Sequence, residues 1–202
     1  MTTHQIKKFF LSVSVAFILS TGYAHATSVA SNPVNVLATV DGPVSISFVM
    51  NENTSDGVTL SSMNFGDLIA NGGGNTLHST RNVVMRITAN THGLPYVIKQ
   101  TGSSLTTGSA TIPTGSCVVK PLYVAADNNG DSQPSGSQLG AAGSWVATDK
   151  VLYTSETGSA AMRTIQCIYS ITSDSNNGAT ETVPADQPSG NYTSSITFTV
   201  TS

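Results

Sequence analysis

Tyr192-Thr193-Ser194-Ser195-Ile196-Thr197-Phe198-Thr199-Val200-Thr201 runs almost to the end of this chain of 202 residues. Ile196, Phe198 and Val200 alternate with hydroxyl-bearing residues, a period of two that fits a strand with one face in a core and the other in water. Helical periodicity is absent elsewhere, whereas this alternation recurs. Val34, Val36, Ala38 and Val40 form one such set, which ends at the turn-prone Asp41-Gly42-Pro43, and a second strand follows over 44–50. Within 80–90, Val83, Met85, Ile87 and Ala89 share a face, and within 162–172 Ile165, Cys167, Tyr169 and Ile171 do the same. Further strands are expected over 96–100, 116–124 and 150–155, with turn-rich pieces at 71–75 and 127–143. About seven to nine short strands punctuated in this way specify an all-β fold, an antiparallel β-sandwich. No linker divides them, so residues 41–202 read as a single domain.

The first residues state an address. Lys7 and Lys8 precede an apolar run over 9–19 that only Ser12 and Ser14 interrupt, and Ala24-His25-Ala26 fits a small-x-small cleavage site. Residues 1–26 therefore read as a secretory signal peptide, with an apolar run too short for a membrane span. The chain is expected to be exported, through a periplasm and then to the cell surface or medium. Charged residues are 9% of the chain, far below the roughly 25% of ordinary soluble domains. Without Lys7 and Lys8, six bases face eleven acids, a balance of −5. That argues against nucleic acid and against insertion into or binding to an anionic membrane, which need a basic face.

Cys117 and Cys167 are an even pair in an exported chain, which predicts a structural disulfide. Chemistry is harder to find. His78 and His92 sit in turn-like surroundings, no serine lies in a G-x-S-x-G elbow, and no phosphate-binding loop or zinc motif is present. The chain is therefore not expected to be an enzyme or to need a cofactor. Asp127, Asn129 and Asp131 alternate as calcium ligands do, but Ser132 and Gln138 stand where such a loop needs glycine and glutamate. A solvated turn in a flexible loop is the expectation, with no metal. Trp145, the single tryptophan, follows a Gly-rich segment. It is expected in the core, with a ligand-stacking platform as the alternative.

The two cleanest alternating strands lie at the two ends of the mature chain, and neither carries a charge apart from Asp41 at a boundary. Uncharged apolar edges invite pairing with another chain. Residues 27–40 are thus a candidate donor segment that completes a neighbour's sandwich.

The ending Pro188-Ser189-Gly190-Asn191-Tyr192-Thr193, followed by the Ile196 to Val200 alternation, resembles the close of chaperone–usher pilus subunits and of spore-coat-U-like secreted proteins. Met63-Asn64-Phe65-Gly66 with Thr80-Arg81-Asn82-Val83 is similar to an opening seen in several such subunits. Residue 201 is Thr rather than a penultimate Tyr, and Gly190 is thirteenth from the end where fourteenth is common, so the resemblance is to a divergent or archaic type. It implies an incomplete immunoglobulin-like antiparallel β-sandwich, a periplasmic chaperone, an outer-membrane usher, and assembly with copies of itself or sibling subunits into an adhesive fimbria or coat. Carried onto this chain, Val34, Val36, Ala38 and Val40 would be donor side chains, and Tyr192, Ile196, Phe198 and Val200 would line the acceptor groove. The alternative is a self-contained secreted binding module, for carbohydrate or a surface ligand, that uses Trp145 and the 127–143 loop.

Overall fold

The computed structural model describes residues 29–40, 45–52, 63–158 and 160–202. The signal peptide expected over 1–26 and the turn expected at 41–43 lie outside them.

The chain is a β-sandwich. Its strands open with β1 (Val29–Val40) and β2 (Ser45–Glu52), then β3 (Asp67–Ala70), β4 (Thr76–Ser79), β5 (Val83–Asn90) and β6 (Val97–Gly102). Short strands β7 (Thr106–Thr107) and β8 (Ala110–Thr111) lead to β9 (Cys117–Tyr123), then β10 (Gln138–Leu139) and β11 (Gly143–Ser144). The last four are β12 (Lys150–Thr154), β13 (Arg163–Ile171), β14 (Val183–Pro184) and β15 (Tyr192–Thr201). One sheet runs β10-β12-β6-β15-β1-β3-β4-β14, with β7 and β8 appended beside β15, and the other runs β11-β9-β13-β5-β2. The described pairings are antiparallel except that of β1 with β15, which is parallel.

The expected alternation decides what lies between the sheets. Val83, Met85, Ile87 and Ala89 of β5 are fully buried, as are Ile165, Cys167 and Tyr169 of β13 and Ile98 of β6. Each of the larger ones, Val83, Met85, Ile87, Ile165 and Ile98, contributes about 1.5–3 kcal/mol by leaving water. β13 is the best-held strand: seven of its residues pair with β5 and seven with β9.

The strand expected from residue 80 begins instead at Val83. Thr80 and Arg81 serve the turn before β3: the Thr80 amide donates to the Asp67 carbonyl at 2.9 Å, and the Arg81 amide to the Phe65 carbonyl at 3.2 Å. Gly66 in that turn has φ +68°, and a Cβ there would sit 2.2 Å from Thr80 Oγ1. Only glycine fits this position.

Candidate functional site

β15 is fixed along one edge. Residues Ile196 to Thr201 pair with β6, and Thr193 pairs with β7. Its start is anchored by a corner: the Tyr192 hydroxyl donates to the Pro188 carbonyl at 2.7 Å and accepts from Gln187 Nε2 at 2.7 Å. A tyrosine bonding back to backbone a few residues upstream is a device that immunoglobulin-type sandwiches also use. Ser194 donates to the Ser103 carbonyl, and Ser103 Oγ bonds the Ser195 amide at 2.9 Å. Tyr192, Ile196, Phe198 and Val200 are all in the core, 0–1% exposed.

The other edge of β15 receives β1. Val36 lies opposite Ile196, Ala38 opposite Phe198, and Val40 opposite Val200, so three of the four expected donor positions come into register with three of the four expected acceptor positions. The remaining two do not meet: Val34 is opposite Ser194, and Tyr192 is opposite Ser31. Between those points the register shifts, at the place where Pro33 has no amide hydrogen for a ladder. On its far side β1 touches β3 through Val29 opposite Leu68 and Ala30 opposite Asp67. β1 thus bridges the β15 side of this sheet to the β3-β4-β14 side. The pairing lies within one chain.

The expected disulfide is corrected. Cys117 and Cys167 are both buried free thiols. They lie on neighbouring strands, but Cys117 is opposite Ile171 and Cys167 is opposite Pro121. Four residues along a ladder is about 13 Å, beyond the roughly 7 Å that a disulfide can span between Cα atoms. Burial pushes the Cys117 thiol up to about 12 and raises that of Cys167 further. Such thiols stay protonated and inert.

The platform reading of Trp145 is overturned by its burial. It is 0% exposed, stacks on Phe65 with centroids 4.9 Å apart, and tilts against Tyr169 at 5.8 Å. Gly102 makes room for it, since a Cβ there would lie 2.3 Å from the Trp145 carbonyl oxygen.

The loop from Asp127 also differs from the flexible segment expected. Asn128 is buried and clamps it to β13: its Nδ2 donates to the carbonyls of Val124 and Thr164 at 3.0 and 2.8 Å, and its Oδ1 accepts from the Thr164 amide at 2.9 Å. Sequence reasoning missed this residue, whose buried amide has no signature in a chain rich in Asn. Asp127 accepts from Arg86 Nε at 3.0 Å and Gln166 Nε2 at 2.7 Å, and Asp131 from Arg163 at 3.0 Å. The two carboxylates face guanidinium groups on separate strands, and no group of three metal-ligating side chains occurs among the described residues. His78 lies on β4 opposite Ile69 rather than in a turn, while His92 does turn the chain at φ 54°.

Among the described residues no helix is long and apolar enough to cross a membrane. No family model matches this chain, and no curated protein matches it in sequence.

Proposed function

We propose that this chain is an exported structural subunit of a surface fibre, of pilus or fimbrial type, or of a coat, and that it assembles by exchange of β1 between subunits. The observation that supports the strand-exchange part of the reading is the pairing of β1 with β15, which aligns the apolar positions Val36, Ala38 and Val40 with the buried row Ile196, Phe198 and Val200. Among the described residues every other element follows the Val40 end of β1, so β1 can leave its slot without threading. A copy supplied by a neighbour meets the same ladder and the same core row. Exchange of an identical element between protomers is a low-cost route to assembly. A periplasmic chaperone would cover the slot before assembly and an outer-membrane usher would order the exchange. Adhesion would follow from surface display, and no catalytic step is required. The binding-module alternative loses support, because Trp145 is in the core and the loop it was to share is clamped.

An unheated denaturing gel of the mature protein tests this, with Val36→Asp beside it. Multimers that persist until boiling, and that vanish in the variant, are expected. Multimers unchanged by Val36→Asp would mean that β1 is not the exchanged element.

A further inference from the structure

The direction of β1 and the length of its tether together constrain what strand exchange can build. Val40 lies beside Val200 in a parallel pair, so β1 leaves its slot at the pole where β15 ends. β2 starts at that same pole: Ser45 is opposite Asn90, the last residue of β5, and Val97, the first of β6, is opposite Thr201. Only residues 41–44 separate β1 from β2, a tether that spans about 18 Å at full stretch. The ladder from Val34 to Val40 is itself about 20 Å long. The tether cannot run back to the far pole.

When β1 occupies a second copy in this register, its tether emerges at the accepting copy's tether pole and returns at once to the donor's. The two bodies then meet like pole to like pole. The acceptor's own β1 leaves from that same pole and reaches only a body lying against it, which is the donor. Exchange becomes reciprocal and closes with two-fold symmetry, an isologous contact. An open chain would need two neighbours at one pole.

The surface there has the composition that such a contact requires. Leu94, between β5 and β6, is 48% exposed, and Met162, directly before β13, is 59% exposed. The bridge between Gly93 and Ala160 sets their two loops side by side, with the Ala160 amide donating to the Gly93 carbonyl at 3.0 Å. A patch on both members of a two-fold pair covers itself.

We infer that the partner for this pole is a second copy of the chain: two copies exchange β1 reciprocally and form a closed pair that covers Leu94 and Met162. The inference rests on the strand-exchange reading and limits it. In this register exchange gives pairs, and a fibre requires β1 to enter antiparallel to β15, so that its tether emerges at the far pole.

The test refolds two full mature chains together, one with Asn35→Cys and one with Ser195→Cys, and oxidises the mixture. A second mixture uses Thr199→Cys in place of Ser195→Cys. The parallel register sets Asn35 beside Ser195, whereas reversal about Leu37 and Thr197 sets it beside Thr199. The expected result is at least tenfold more interchain cross-link in the first mixture, with a two-chain mass by light scattering. Leu94→Glu with Met162→Glu should cut the pair at least tenfold and leave the circular dichroism spectrum unchanged. A mass above two chains by light scattering, or preference for the second mixture, overturns the closed pair and leaves strand exchange standing. Absence of interchain cross-link in both, while Asn35→Cys with Ser195→Cys in one chain closes as monomer, overturns the exchange reading itself.

Discussion

β1 and β13 carry the same kind of alternating sequence and are held in different ways. β13 has an antiparallel partner on each side over seven residues, and both its ends continue into the domain. β1 has one long partner, runs parallel to it, and touches β3 through only two residue pairs. Among the described residues every other element follows its Val40 end. The comparison separates two properties that sequence alternation merges, namely fitting a sheet and being committed to it. β13 is built into the body on both edges, whereas β1 is held mainly along its one edge on β15.

A charge placed in each strand breaks this comparison most strongly. Ile165→Asp puts a carboxylate at a fully buried position of β13, costs several kcal/mol, and should abolish folding of the body. Val36→Asp should remove β1 from its slot while the body keeps cooperative thermal unfolding, with a smaller loss of stability than Ile165→Asp. Equal losses of cooperativity in the two variants would erase the distinction.

Trp145→Ala tests the body alone. It removes the ring between Phe65 and Tyr169 and should lower unfolding stability by about 3–5 kcal/mol in denaturant titrations. Multimer formation by the fraction still folded should persist.

Alkali acts on the same core more gently. Burial raises Cys117 from 9 to about 12, and it also raises Cys167, Tyr96, Tyr153 and Tyr169. For these acids the neutral form is the one that folding favours, and unfolding frees them to ionise near 9 or 10. Stability should therefore be flat below about pH 9 and fall progressively toward pH 12, as read by melting temperature across that range. The smallest effect expected is none. Because the thiols are free, a reductant should leave the melting temperature unchanged, and both cysteines should alkylate only after denaturation.

Much of this fold was legible. β5 and β13 each bury an apolar row at period two, as does β15 from Ile196 to Val200, and that row places them in a sandwich whatever their partners. The direction of β1 was not legible, because alternation reads the same in both directions. Strands of two residues such as β10, β11 and β14 have no period at all and exist only through their partners. The cysteines show the same limit: their number suggested a bond, while the register of β9 on β13 fixes their separation. Trp145 was weighed between core and surface because Phe65 and Tyr169, which enclose it, are remote in sequence. Of the candidate site, the apolar rows at the two ends were legible, and the four-residue tether became informative only once the direction of β1 was known.

The measurement that tests the account most directly refolds the full mature chain with excess fluorescent peptide of residues 29–40. The account predicts that folded protein takes up labelled peptide in place of its own β1, about one per slot, and that a peptide carrying Val36→Asp is excluded. Folded protein that refuses the native peptide at every excess would contradict it, since β1 would then be a fixed part of its own sandwich.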